Sequence, residues 1–124
     1  MTESRGLAVT AALFGLTAVV FAAAGAHVLP PESVDSRRLW GTALQMHFFH
    51  AAALLAIAAL AATRNAPGIR FGGWIIAIGA LLFCGTLYLR AAGFDLFPGP
   101  LTPFGGGITM LGWCVLIVTL IRKG

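Results

Sequence analysis

Residues 39–63 read LWGTALQMHFFHAAALLAIAALAAT and contain no Asp, Glu, Lys or Arg. At about 1.5 Å of rise per residue, a helix of that length exceeds the roughly 30 Å hydrocarbon core of a bilayer. Backbone groups in lipid have no water to bond, so a crossing segment has to be helical. Three further stretches share the property: Leu7 to Pro31, Phe71 to Leu89 and Leu96 to Ile121. The sequence therefore predicts an all-α integral membrane protein, a bundle of four transmembrane helices near 7–28, 39–62, 72–91 and 104–121. One domain fills residues 1–124, because the connections through Pro30-Pro31, Asn65 to Gly68 and Gly93 to Pro103 leave no chain for a soluble unit.

Composition agrees. Of 124 residues, 59% are apolar and 10% charged, against about 45–50% and about 25% in soluble domains. A chain this short has too little interior to hide so much apolar surface from water. The net charge of +4 comes from eight Lys and Arg residues scattered at the edges of the apolar runs. They read as topology signals, with membrane lipids as the partner and no nucleic acid. Cys84 and Cys114 both fall inside apolar runs, where a thiol behaves as a small hydrophobe.

Four spans put both termini on one side. That side carries Arg5, Arg64, Arg70, Arg122 and Lys123, and the opposite side Arg37, Arg38 and Arg90. The excess predicts cytoplasmic N and C termini. Asp35 or Ser36 is placed to cap the second helix, and Thr102-Pro103 offers a hydroxyl cap followed by proline at the first helical position. Trp40, Trp74 and Tyr88 sit at span ends, as interfacial anchors do. Trp113 lies mid-span and is expected in a helix interface. Small residues four apart let helices approach closely in lipid. Ala11 with Gly15, Ala18 with Ala22 and Ala26, and Ala52 with Ala56 form such rows, suited to a compact bundle or to a homo-oligomer.

Polar side chains inside a membrane are functional candidates by default. Gln45, His47 and His50 lie on the second helix, His27 and Arg90 close the first and third, and Thr102 opens the fourth. All fall toward the outer half. Met46, His47 and His50 share an arc of about 100° on one helix. That arc suits copper, and paired histidines suit haem; the alternative is neutral histidines bonded to neighbouring helices, which is the reading favoured here, with no metal or cofactor expected. Arg90 reads as a snorkelling side chain, paired with Asp95, or as an anion contact. Gly105-Gly106-Gly107 allows either close helix packing or exposed backbone at a helix N-terminus. Hydrolase, zinc-protease and P-loop motifs are absent, and so are paired membrane carboxylates, so no enzyme is expected.

Gly25-Ala26-His27, Gln45 with Phe49-His50-Ala51, Phe83-Cys84-Gly85-Thr86-Leu87-Tyr88-Leu89, Gly99-Pro100-Leu101-Thr102-Pro103 and Gly112-Trp113 occur in an order that resembles the YgdD family of small membrane proteins, the domain of unknown function 423. Eukaryotic transmembrane protein 256 looks related. The resemblance implies His27, Gln45, His50, Tyr88, Thr102 and Pro103 as the shared polar or structural cluster. His47 stands where the family usually has glutamine, Cys84 where it often has serine and Arg90 where an apolar residue is common, which leaves His47 and Arg90 as secondary candidates. Arg5, an apolar run and Ala24-Gly25-Ala26 imitate a cleaved signal peptide; the resemblance includes these residues, so the first helix is expected to stay. It implies a multi-pass protein of the bacterial inner membrane and names no activity. Two roles follow as expectations: a non-catalytic accessory or assembly subunit of a larger membrane complex, or a binding or transport protein for a small molecule, quinone or metal, with a polar pocket near the outer face.

Overall fold

A computed structural model describes residues 2–28, 34–94 and 101–123. The chain forms α1 (Thr2–Val28), α2 (Val34–Thr63), α3 (Pro67–Ala91) and α4 (Leu101–Lys123), with no strand among the described residues. All four are long and apolar enough to cross a membrane. They begin at 2, 34, 67 and 101, ahead of the expected 7, 39, 72 and 104. Charge-free runs mark the hydrocarbon, whereas helical hydrogen bonding continues into the headgroup layer. The 30 residues of α2 extend about 45 Å, enough to project beyond a core of about 30 Å.

The early starts revise the expected caps. Asp35 lies inside the first turn of α2 and accepts a 2.7 Å bond from Arg38. Thr102 lies inside the first turn of α4, and its hydroxyl reaches Thr86 instead. Pro67 starts α3, where a missing N–H costs nothing. The far end of α3 closes on Gly93, whose φ of +96° suits glycine. Phe94 N–H donates to Leu89 O at 2.8 Å and Gly93 N–H to Arg90 O at 3.1 Å, the double bond pattern of a Schellman cap. Asp95, the expected partner of Arg90, lies outside the described residues, as do Pro30-Pro31 and Pro98 to Pro100.

The helices run antiparallel in succession. α2 and α3 form the middle, α1 lies along α2 with a light touch on α3, and α4 lies along α3. Leu7, Leu54, Ile57, Ile69, Ile76 and Leu116 fill one cluster toward the end that carries the termini. Trp40, Ala43, Cys84, Leu87 and Tyr88 fill another toward the opposite end. Val9, Leu16, Val20, Leu81, Leu111 and Ile117 point outward. In water such a surface invites aggregation; in lipid it is the solvated face.

The closest backbone approach is between α3 and α4. A Cβ added to Gly112 would lie 2.8 Å from Ile76 N, and one at Gly105 2.7 Å from Phe83 N. At Gly79 it would collide with the backbone of Thr109. This corrects the expected small-residue rows: Ala11 and Ala18 are buried, but Gly15 has open space beside it, and Ala22, Ala52 and Ala56 are exposed. Of the glycine run opening α4, Gly105 is the close-packed member, and Gly107 meets nothing within 4 Å.

Candidate functional site

His47, from α2, reaches both neighbours. Its Nε2 lies 2.9 Å from Thr17 Oγ1 on α1 and its Nδ1 2.8 Å from Tyr88 Oη on α3. Thr17 Oγ1 also lies 2.9 Å from Leu13 O, an atom that can only accept. The Thr17 proton therefore goes to Leu13 O, and Thr17 accepts from His47 Nε2–H. His47 Nδ1 is then a lone pair that takes the Tyr88 hydroxyl proton. The opposite tautomer strands that proton, which is costly in a low-dielectric interior. The imidazole is a neutral Nε2–H ring in a directed chain from α3 through α2 to α1.

His50 sits one turn further along α2 and is 2% exposed. Its Nδ1 lies 2.8 Å from Met46 O, which fixes the proton on Nδ1. Nε2 accepts the indole N–H of Trp113 at 3.2 Å. Trp113 thus stands in a helix interface, linking α4 to α2. Both nitrogens of both rings are occupied, so a metal would have to displace bonds that hold helices together. Among the described residues no three His, Cys, Asp or Glu side chains are grouped as metal ligands.

Of the other sequence candidates, Tyr88 joins His47 and Thr102 is buried at 2.6 Å from Thr86 Oγ1. Thr86 donates to Leu82 O, so Thr102 donates to Thr86 and pins the first turn of α4 to α3. His27, Gln45, Arg90 and Pro103 are exposed and do not converge with them. Trp40 and Tyr88 are packed in the interior rather than serving as interfacial anchors: the Trp40 indole donates to Phe21 O at 2.9 Å, and the Tyr88 ring meets Trp40 at 4.6 Å and Phe21 at 4.5 Å. Trp74 remains partly exposed near the start of α3.

Two grooves flank this polar seam. The first, of about 330 Å³, opens between α1 and α3 with His47 among its walls, beside Phe14, Phe21, Leu81 and Tyr88. The second, of about 350 Å³, lies among α2, α3 and α4 beside His50, Phe49, Met110 and Trp113. Ala80 of α3 lines both. Their walls are almost wholly apolar because the polar atoms are turned toward one another. His27, Gln45 and Thr102 line neither.

Sequence reading missed Thr17 and Thr86, the hydroxyls that complete these pairs, and the Cys84 thiol, which lies 3.5 Å from Ala43 O. The available signal was that a threonine inside a charge-free span is itself a polar group needing a partner.

The family described as "Protein of unknown function (DUF423)" matches residues 21–106. The chain is 32% identical to the UPF0382 membrane protein YwdK of Bacillus subtilis over 113 residues, 90% of this chain and 92% of the relative. It is also 32% identical to the UPF0382 inner membrane protein YgdD of Escherichia coli over 120 residues, 96% of this chain and 92% of the relative. A UPF0382 membrane protein of Staphylococcus epidermidis shows 30% identity over 112 residues, 90% and 91% of the two chains. No solved structure matches the chain.

Proposed function

The chain belongs to the DUF423 family of proteins of unknown function, and from that premise we propose that it is a non-catalytic accessory or assembly subunit of a larger membrane complex. We place it in a bacterial inner membrane, crossing four times with both termini in the cytoplasm. The observation that carries the reading is that the buried polar side chains of the described residues bond within the bundle, while the two grooves that flank them are apolar. A site for acid–base or metal chemistry presents convergent, unspent polar groups; a subunit that meets other membrane helices presents apolar grooves and exposed apolar faces. The E. coli relative is named an inner membrane protein, which supports the compartment.

Extraction from native membranes in mild detergent tests this reading. Elution in a fixed ratio with the same identified membrane subunits, recovered reciprocally by tagging either component, is expected. Elution alone at the mass of the single chain overturns it.

The groove beside His47 favours a second reading, a site for a lipid-soluble small molecule such as a quinone. This reading expects a copurifying quinone in stoichiometric amount, lost in Leu81→Trp, which fills the groove wall. Quinone-free protein from quinone-replete cells removes it.

A further inference from the structure

A third groove, of about 370 Å³, lies between α1 and α2 at the end that carries the termini. Its walls are Ser4 and Ala8 of α1 and Leu55, Ala58, Ala59 and Ala62 of α2, and Arg5 lines it as well. Arg5 is exposed. Its depth follows from the helix pairing: Thr17 meets His47, and Trp40 bonds Phe21, so antiparallel succession sets Arg5 beside residues 56–59 of α2. Arg70, which bounds the apolar run of α3, lies at a matching level, because the side chain of Ile57 meets Gly73. Arg5 thus bounds the charge-free run of α1 as Arg70 bounds that of α3, and the alanine-lined trough lies beside it.

We infer that this groove is a seat for an anionic phospholipid, with the headgroup phosphate on Arg5 and an acyl chain along Ala8, Leu55, Ala58 and Ala59. Charge complementarity selects the occupant. Five Lys and Arg residues belong to this end, against the single acid Glu3, whereas the opposite end sets three against Glu32, Asp35 and Asp95. Basic groups set between membrane helices at the headgroup level recognise anionic lipid heads. A guanidinium fits two phosphate oxygens at once, a geometry an ammonium cannot copy. An apolar trough continuing from that cation excludes a free phosphate as the preferred ligand, since only a lipid supplies the chain. The inference rests on the membrane-spanning reading and is independent of the accessory role.

The test uses the full chain purified in a neutral detergent, with phosphatidylglycerol or phosphatidylcholine titrated in and bound lipid counted by native mass spectrometry. Selective retention of phosphatidylglycerol is expected, with affinity reduced about fivefold or more in Arg5→Gln and little changed in Arg37→Gln, which removes the same charge at the other end. Ala59→Phe, an exposed position that fills the trough, is expected to reduce binding while Arg5 remains. Equal binding of both lipids, equal losses in the two arginine variants, or full binding in Ala59→Phe overturns the proposal. Competition by inorganic phosphate as effective as by the lipid also overturns it.

Discussion

At the residue scale, the two histidines of α2 carry unequal partners, and each bond has a measurable worth. Removing the Tyr88 hydroxyl leaves His47 Nδ1 without its donor. Hydrogen bonds between helices in lipid contribute about 0.6 kcal/mol on average and up to about 1.7. Tyr88→Phe is expected to lower stability within that range, with a coupling of similar size to His47→Leu in a double-mutant cycle, read from unfolding in mixed micelles by circular dichroism. Coupling near zero would contradict the bond. Trp113→Phe deprives His50 Nε2 of a donor and is expected to cost about 1 kcal/mol by the same assay. Neither pairing was legible in the sequence: His47 and Tyr88 lie 41 residues apart and His50 and Trp113 63. Periodicity showed that His47 and His50 share an arc of α2, but not which helix each would meet. It did place Gln45 off that arc, and Gln45 is exposed.

At the element scale, the four runs without charge predicted the helices because desolvating charge is costly enough to mark the hydrocarbon. Their ends were less legible, since backbone hydrogen bonding continues where lipid stops. The α3–α4 contact was missed for another reason. Gly72 and Gly79 are seven apart, but Gly68 and Gly72, which also pack on α4, keep the four-residue spacing, so the signal was present on α3 and the rows were sought only on the first two helices. Gly79→Ala would force backbone apart at Thr109 and is expected to destabilise by about 1–3 kcal/mol, as overpacking does. Gly85→Ala, with nothing within 4 Å of the new carbon, is expected to be neutral or stabilising by up to about 1 kcal/mol. Comparing the two variants in mixed-micelle unfolding separates packing from helix propensity, and equal effects would refute the close contact.

At the scale of the whole molecule, sidedness follows from where the cations lie. Five Lys and Arg residues belong to the terminal end and three to the other, so reporter fusions after residue 123 are expected to report a cytoplasmic C-terminus, and a cysteine introduced at Arg37 to react with an impermeant thiol reagent from outside, in a background with Cys84 and Cys114 replaced. Adding two arginines beside Arg37 is expected to weaken or invert the orientation. Unchanged sidedness with a periplasmic C-terminus would reverse the assignment. The same architecture explains why a fold so readable gave so diffuse a site: the polar residues resembling the family cluster are split between the interior, as His50, Tyr88 and Thr102, and the outer surface, as His27, Gln45 and Pro103.

The bridge from Thr17 through His47 to Tyr88 also bears on biogenesis. Ribosomes deliver α1 and α2 before α3, so a nascent hairpin enters the insertion machinery with one imidazole nitrogen still lacking its donor. Until the third segment emerges, that hairpin carries an unmet demand that favours a protein-lined vestibule over release into free lipid. Stalled chains ending ahead of residue 88 should accordingly crosslink to the insertase for longer than chains long enough to present the tyrosine.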